Sequence, residues 1–346
     1  MSAFPPKTDG SAMITTPTAP TTPTTTLTAA EAAKPYKIII DTDPGQDDAV
    51  AILLALASPE DVEVLGITAV AGNAPLPWTE KNARRVCELA GRADVKVFAG
   101  CDRPLVRLLH TAPEVHGDTG LDGPVLPEPT MPLQAQHAVD FIIETVMREE
   151  PGSVTLCPLG PLTNVARALV KEPAIAPRLR QIVLMGGAQM EGGNSTPCAE
   201  FNIYVDPHAA DIVFKSGVPI VMFPLDVTHQ VLTARRHMDR IQAVGNRVSQ
   251  ATYEMLDFYQ RYDEHKYGTD GGPLHDPCVI AWLIRPEIFQ GKTVNVEIET
   301  ASPLTTGQTV IDRWNTTGRP RNATVMLKAD SDAFFDLLVE RLTRFG

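Results

Sequence analysis

Short apolar runs alternate with amphipathic segments along most of the chain. The first run, 36–40, is β-branched, and the stretch Ala-Val-Ala-Ile-Leu-Leu-Ala-Leu that begins at Ala49 has the composition and length of a helix. The same order recurs, with strands predicted at 62–70, 95–98, 153–156, 181–185 and 219–223 and helices at 78–89, 134–149, 162–170 and 206–215. Strands that alternate with helices predict right-handed crossovers. The fold class is therefore α/β, a doubly wound and mostly parallel Rossmann-like sheet with helices on both faces.

The first 35 residues and the part of the chain from residue 233 onward differ from this pattern. Residues 233–266 read as long and helical, and strands at 293–300, 307–311 and 323–327 precede a last helix at 331–343. No internal repeat or second linker is evident, so 36–346 is predicted to be one domain. The stretch 1–35 contains six prolines and ten threonines and has no apolar face. It is predicted to be a disordered leader.

Charge argues against two classes of binding partner, and the cysteine content indicates the cellular compartment. The chain has 346 residues with 42 acidic and 30 basic side chains, a net charge of −12. That sign is wrong for a surface that follows nucleic-acid phosphates or anionic lipid. The five cysteines form no C-x-x-C pair, which favours a reducing compartment. Without a signal-like segment or an 18-residue apolar run, a cytoplasmic protein that makes no use of a membrane is expected.

An acidic loop follows the first predicted strand, and in open α/β sheets the loops at the carboxyl ends of strands bind ligands. Four carboxylates stand within eight residues there: Asp41, Asp43, Asp47 and Asp48. They would raise one another's pKa unless a cation lay among them. Oxygen-only ligands favour a hard ion, calcium or magnesium. Capping of the following helix would explain one or two of these acids but not all four.

A phosphohydrolase is one alternative for this loop. Magnesium-dependent aspartyl-phosphate phosphatases of the haloacid dehalogenase type also place Asp-x-Asp after a first strand, and Asp41-Thr42-Asp43 would fit. Pro44-Gly45 then stands where a hydrophobic residue and threonine are usual. No later lysine motif is evident to offset phosphate charge, so the sequence gives this alternative little support.

A set of motifs resembles one known family. Asp41-Thr42-Asp43-Pro44-Gly45-Gln46-Asp47-Asp48-Ala49 is similar to the signature loop of the inosine–uridine preferring nucleoside hydrolases. Further motifs occur in the family's order: Ala71-Gly72-Asn73, His116-Gly117, Gly160-Pro161-Leu162-Thr163-Asn164, Met185-Gly186-Gly187, Asn194 with Glu200-Phe201-Asn202, Leu225-Asp226-Val227-Thr228-His229 and His275-Asp276-Pro277. The resemblance runs from about Lys37 to the C-terminal helix.

The resemblance implies a calcium-dependent enzyme that hydrolyses the N-glycosidic bond of ribonucleosides to ribose and free base. Calcium would be held by Asp43, Asp48, Asp276 and the backbone carbonyl of Leu159. Asp43 would also be the general base that deprotonates the attacking water. Carboxylates around the sugar suit an oxocarbenium-like transition state.

By the same resemblance, polar residues around the metal would bind the sugar: Asp47, Asn73, Asn194, Glu200 and Asn202. Acidic groups near the 5′-hydroxyl would disfavour a 5′-phosphate.

The departing base needs a way to carry charge, and a histidine suits that task. His275 is the first candidate because it precedes Asp276, and His116 is expected near the base. His275 favours the inosine/uridine type, with a purine-specific hydrolase as the alternative. Tyr259 or Tyr262 could lie over the base, although packing is the commoner role for such tyrosines. Members of the family are usually homodimers or homotetramers, and the same is expected here.

Overall fold

The first strand leads directly into the acidic loop and forms the centre of the sheet. The computed structural model describes residues 35–268 and 270–346, so the predicted leader, Pro35 apart, lies outside the described residues. The strands are β1 (Tyr36–Thr42), β2 (Val62–Ala69), β3 (Val97–Ala99), β4 (Leu133–Gln134), β5 (Val154–Pro158), β6 (Leu179–Met185), β7 (Ile220–Phe223), β8 (Phe289–Ile298), β9 (Thr309–Asp312) and β10 (Ala323–Ala329).

Helices fill most of the connections between the strands. They are α1 (Gln46–Leu56), α2 (Leu76–Leu89), α3 (Pro113–His116), α4 (Ala138–Arg148), α5 (Thr163–Lys171), α6 (Phe201–Val205), α7 (Pro207–Phe214), α8 (Leu225–Thr228), α9 (Arg235–Ala243), α10 (Arg247–Tyr267), α11 (Pro277–Ile284) and α12 (Ser331–Leu342).

The sheet has the strand order β4-β3-β2-β1-β5-β6-β7-β10-β8-β9. Every pair from β4 to β10 is parallel, whereas β8 runs antiparallel to both β10 and β9. Apolar clusters lie on both faces, and the central strand residues Ile38, Ile39 and Ile40 are fully buried. The predicted doubly wound, mostly parallel α/β fold is confirmed.

The segment 233–266, predicted to be long and helical, consists of two helices, α9 and α10, with a break between them at residues 244–246. Gly245 has a φ of 76°, which favours glycine, and the side chain of Asn246 accepts a hydrogen bond from the Ser249 amide at 2.8 Å. The structure also contains α11, which the sequence reading missed. Its start has a recognisable signal, since Pro277 follows Asp276 at the first helical position.

The C-terminal helix closes the domain against the N-terminal half. The guanidinium of Arg341 on α12 contacts Glu60 at 2.6 Å and Asp61 at 2.8 Å, just before β2. No helix in the described part of the chain is long and apolar enough to cross a membrane.

Candidate active site

A cavity of about 330 Å³ opens at the carboxyl ends of β1, β5 and β6, the edge of the sheet where a ligand was predicted. It brings together nine of the residues predicted for the site: Asp47, Asn73, His116, Leu159, Asn194, Glu200, Asn202, His275 and Asp276. Asp43 and Asp48 are buried and do not line it. Two groups of residues lie in or next to the cavity: the carboxylate floor (Asp43, Asp47, Asp48 and Asp276) and the α10 wall (Tyr259, Tyr262, Asp263 and Lys266).

Three acids of the carboxylate floor could hold a metal ion together. Ligand atoms of Asp47, Asp48 and Asp276 lie within 4.8 Å of one another, and all three residues are buried. The acids predicted to bind the metal were Asp43, Asp48 and Asp276, so the observed group contains Asp47 in place of Asp43. The predicted carbonyl ligand, that of Leu159, accepts a hydrogen bond from Asn202 Nδ2 at 2.6 Å.

Asp43 is held between two backbone segments. Its Oδ2 accepts a hydrogen bond from the Asn73 amide at 2.6 Å. A Cβ added to Gly72 would lie 2.0 Å from that oxygen, and one added to Gly160 would lie 2.1 Å from Oδ1. Glycine is therefore required at both positions for the carboxylate to fit. Oδ1 of Asp43 is buried without a hydrogen-bond partner among the described residues.

Asp48 caps the start of helix α1 and also belongs to the carboxylate floor. Its Oδ2 accepts hydrogen bonds from the Gly45 amide at 3.0 Å and from Asn73 Nδ2 at 3.2 Å, and its Oδ1 accepts one from the Thr42 hydroxyl. The bond from Gly45 is the one a capping residue accepts at the start of a helix. The capping explanation thus holds for Asp48 and leaves the other acids of the floor to be explained.

The chemistry of the floor fits a cation. Burial, with the neighbouring Asp48 carboxylate next, raises the pKa of Asp47 to about 8. Burial and the nearby carboxylates raise the pKa values of Asp43 and Asp276 well above the usual range. Buried like charges have such pKa values when nothing positive compensates them. Oxygen donors of this kind suit Ca²⁺ or Mg²⁺.

The side of the cavity predicted to receive the sugar is set by backbone contacts. Glu200 begins α6, and its carboxylate accepts hydrogen bonds from the amides of Gly187 at 2.8 Å, Asn202 at 2.9 Å and Ile203 at 3.2 Å. Burial nevertheless raises its pKa to about 7. Asn194 Oδ1 accepts from the Phe201 amide at 2.9 Å. Backbone hydrogen bonds therefore position both of these predicted sugar residues.

His116 lies on the opposite side, where its hydrogen bond determines its tautomer. Gln46 Nε2 donates to the carbonyls of His116 at 3.1 Å and Asp122 at 2.9 Å, which fixes the amide orientation. Gln46 Oε1 must then accept from His116 Nδ1, 2.7 Å away, so Nδ1 carries the proton and Nε2 has the lone pair. Burial lowers the pKa of His116 to about 3, and the ring is neutral at physiological pH.

His275 faces the cavity from the loop before α11. Its Nδ1 lies 2.7 Å from the Thr228 hydroxyl, and its ring centre is 5.7 Å from that of His229. Burial, with His229 next, lowers the pKa of His275 well below its usual value. The other ring nitrogen is left for a ligand.

The α10 wall contains the residues that the sequence reading missed or left open. Tyr259 and Tyr262 both line the cavity, and the Tyr259 ring centre is 5.6 Å from that of His116. Asp263 and Lys266 line it as well. Their spacing of three or four residues along one helix is the only sequence signal that could have grouped them.

Asp41 is placed differently from the acids of the floor. Its Oδ1 accepts hydrogen bonds from the Thr68 hydroxyl at 2.6 Å and from Asn164 Nδ2 at 2.8 Å. It does not line the cavity, and burial raises its pKa to about 7. A buried side chain held in this way is a poor nucleophile toward a phosphate ester, which argues against the phosphohydrolase alternative.

Solved structures with the same fold identify the class of enzyme. A purine-preferring ribonucleoside hydrolase from Gardnerella vaginalis is 33% identical with a TM-score of 0.83, covering 89% of this chain and 98% of that one. A plant nucleoside hydrolase, PpNRh1, is 34% identical with a TM-score of 0.82, covering 89% and 99%. The fold is that of a nucleoside hydrolase, an N-glycosyl hydrolase that acts on ribonucleosides.

The family follows from the sequence comparisons. The family model described as inosine-uridine preferring nucleoside hydrolase matches residues 38–336. A pyrimidine-specific ribonucleoside hydrolase, RihA, from Shewanella baltica is 50% identical over 306 residues, which are 88% of this chain and 95% of that protein. This chain belongs to the inosine–uridine preferring nucleoside hydrolase family, and the resemblance found in its motifs is confirmed.

Proposed function

We propose that this enzyme is a calcium-dependent hydrolase of pyrimidine ribonucleosides, which releases ribose and the free base. The observation that carries the proposal is the carboxylate floor, where Asp47, Asp48 and Asp276 converge and Asp43 keeps a buried oxygen without a partner. The cavity of about 330 Å³ is within the range of small-molecule sites.

Asp48, Asp276, Asp43 and the Leu159 carbonyl would hold the ion, with Asp47 beside them. Calcium, when bound, supplies oxygen coordination for sugar hydroxyls and water and lowers the pKa of that water. The raised pKa values of the floor support this assignment, since a cation would stabilise the ionised carboxylates.

Asp43 is the proposed general base. Its Oδ2 is engaged by the Asn73 amide, and its Oδ1 is the atom left to accept a proton. A carboxylate held beside a metal-bound water is a suitable acceptor for its proton. Gly72 and Gly160 limit its movement, which supports a role that needs a fixed position.

Asp47, Asn73, Asn194, Glu200 and Asn202 are proposed to bind the ribose. The surrounding carboxylates stabilise positive charge as it develops on the sugar ring. They also disfavour a substrate with a 5′-phosphate.

The two histidines receive different roles at the base. His275 is proposed to assist departure of the base through the ring nitrogen that Thr228 leaves available. The lone pair on Nε2 of His116 makes that residue an acceptor toward the base, because Gln46 engages the only proton of the neutral ring. The leaving-group role is therefore assigned to His275 and not to His116.

The preference for pyrimidines is proposed from the relative named pyrimidine-specific RihA, at 50% identity. This preference is narrower than the nonspecific inosine/uridine type expected from the motifs, which includes a purine nucleoside. A solved structure at 33% identity is named purine-preferring, so a purine-specific hydrolase is the alternative. Cytoplasmic location and assembly as a homodimer or homotetramer stay predictions.

The Asp43→Asn variant tests the proposal. The amide keeps the shape and can accept from the Asn73 amide, but it cannot take a proton from water. We expect kcat for ribose release from uridine and cytidine to fall by about three orders of magnitude or more. Ribose release in the presence of Ca²⁺ is measured by a reducing-sugar assay.

Asp140→Asn is the matched control, because Asp140 pairs with Lys171 on the surface. It should leave kcat unchanged. Near-normal turnover by Asp43→Asn would contradict the assignment of the base. Wild-type enzyme that releases no ribose from any ribonucleoside would contradict the proposed function itself.

A further inference from the structure

Asp263 is a buried carboxylate that opens onto the cavity and has no hydrogen-bond partner among the described residues. It lies on α10 with 6% of its surface exposed, and it lines the cavity. Among the described residues it forms no hydrogen bond, and burial raises its pKa to about 6, opposed only by the charge of Lys266. A buried charged group without a partner is costly, so its presence requires an explanation.

The nearest cation on the same helix does not form an ion pair with it. Lys266 Nζ donates to the Asn194 carbonyl at 3.0 Å and to the Tyr262 hydroxyl at 2.9 Å. In contrast, Glu200 in the same cavity accepts three backbone hydrogen bonds. Of these two acids, Asp263 is the one with its acceptor capacity left for a ligand.

The position of Asp263 points to the base rather than the sugar. It follows Tyr259 by four residues, so the two side chains share one face of α10. Tyr259 in turn lies beside His116. A Cβ added to Gly272 would lie 3.1 Å from Asp263 Oδ2, so the absence of a side chain there leaves room for the carboxylate.

We infer that Asp263 accepts a hydrogen bond from an exocyclic amino group of the base and so selects aminopyrimidine nucleosides, of the cytidine type, over oxopyrimidine nucleosides, of the uridine type. This inference rests on the proposed function. An ionised carboxylate has acceptors only, so it binds an amino group and repels the lone pairs of a carbonyl oxygen at the same place. Sites built to hydrogen-bond a substrate group reject the analogue that lacks it strongly.

Asp263→Asn separates these substrates with little change in shape. The amide can accept from an amino group and can also donate to a carbonyl, so the basis for discrimination is lost. Wild-type enzyme should favour cytidine over uridine by kcat/KM, and the variant should reduce that ratio by about tenfold or more. Both nucleosides compete in one reaction, so the fraction of folded enzyme cancels from the ratio.

Asp257→Asn is the matched control, since Asp257 is on the same helix and pairs with Arg261 at the surface. It should leave the ratio unchanged. A ratio that Asp263→Asn changes by less than twofold overturns the inference, as does a wild-type enzyme that favours uridine. In both outcomes hydrolysis of the nucleosides continues, so the proposed function stands. Failure of the wild type to hydrolyse either nucleoside is the separate result that defeats the proposed function.

Discussion

The carboxylate floor and the α10 wall lie in or next to the same cavity but are held in different ways. Asp43 and Asp48 of the floor are fixed by backbone amides and by two glycines at the ends of central strands. In the wall, Lys266 donates to Tyr262 four residues before it, and Asp263 has no hydrogen bond among the described residues. The floor is positioned by the sheet, and the wall by a single helix.

In the proposed roles, the floor carries the chemistry and the wall selects the base, and this difference would keep the two tasks separate. A base and a metal site need positions that are accurate to a fraction of an ångström, which packing on a sheet provides. Recognition of one base over another needs a small number of polar groups, which substitutions on one helix face can change without moving the floor. The two regions should therefore respond to mutation independently.

The largest effect should come from moving the floor without removing any of its groups. In Gly72→Ala the added methyl would meet Asp43 Oδ2 at 2.0 Å, so the carboxylate must shift. We expect kcat/KM to fall by about 100-fold for cytidine and uridine alike, since misplacement by about 1 Å has that effect. Steady-state kinetics on both nucleosides measures it.

Gly291→Ala provides the control for this substitution. Gly291 is in β8, where the nearest atom to an added methyl is the flexible Met326 sulfur at 2.8 Å. It should retain activity, and circular dichroism should show both variants folded. If Gly72→Ala kept wild-type kcat/KM, the close fit around Asp43 would have no catalytic meaning.

The second effect is a gain in stability on binding Ca²⁺, and only substitutions in the carboxylate floor should reduce it. Ca²⁺ added to chelator-treated enzyme at 100 times its Kd should raise the free energy of unfolding by about 2.7 kcal/mol, because the ion binds the folded state only. Thermal unfolding with and without Ca²⁺ measures this gain. Asp276→Asn should lose most of it, whereas Asp263→Asn should keep it. An equal loss in both variants would mean that the two regions are not independent.

The smallest effect concerns His116, between the two regions. Its folded pKa of about 3 is below the ordinary value of 6.5, so the stability it contributes is present above pH 6.5 and is lost as the pH falls toward 3. His116→Asn removes the titrating ring. Between pH 6.5 and 5, the free energy of unfolding should therefore fall less steeply in the variant than in the wild type. The two slopes should differ by at most about 1.4 kcal/mol per pH unit. Urea unfolding in a chelator measures both slopes, and parallel slopes would show that His116 is not buried neutral.

The sequence grouped three acids of the floor, Asp43, Asp47 and Asp48, because their signal is local, whereas Asp276 was identified only through the resemblance to the family. Asp41 to Asp48 follow an apolar strand, and a loop in that place reaches the binding edge of the sheet whatever the later packing. Asp41 shows the limit of this reasoning. Its contacts with Thr68 on β2 and Asn164 on α5 turn it away from the cavity, and both partners are distant in sequence.

The α10 wall could not be predicted in the same way. Asp263 stands in the run Arg261-Tyr262-Asp263-Glu264, which reads as a solvated helix face. Only the packing of α10 over the strand ends makes that face an inner one. The role of Gln46 was hidden for a similar reason, because its hydrogen bonds reach His116 and Asp122, about 70 residues away.

The position of the last strand affects how the chain reaches this structure. Strand β10 lies between β7 and β8, and Arg341 on α12 binds Glu60 and Asp61 across 280 residues of sequence. During synthesis this edge of β7 therefore stays unpaired until β10, about 100 residues later in the chain, has left the ribosome. Such late, long-range closure slows folding and exposes a strand edge on which chains can aggregate. The sheet that carries the acidic loop is thus completed only by a segment about 280 residues beyond that loop.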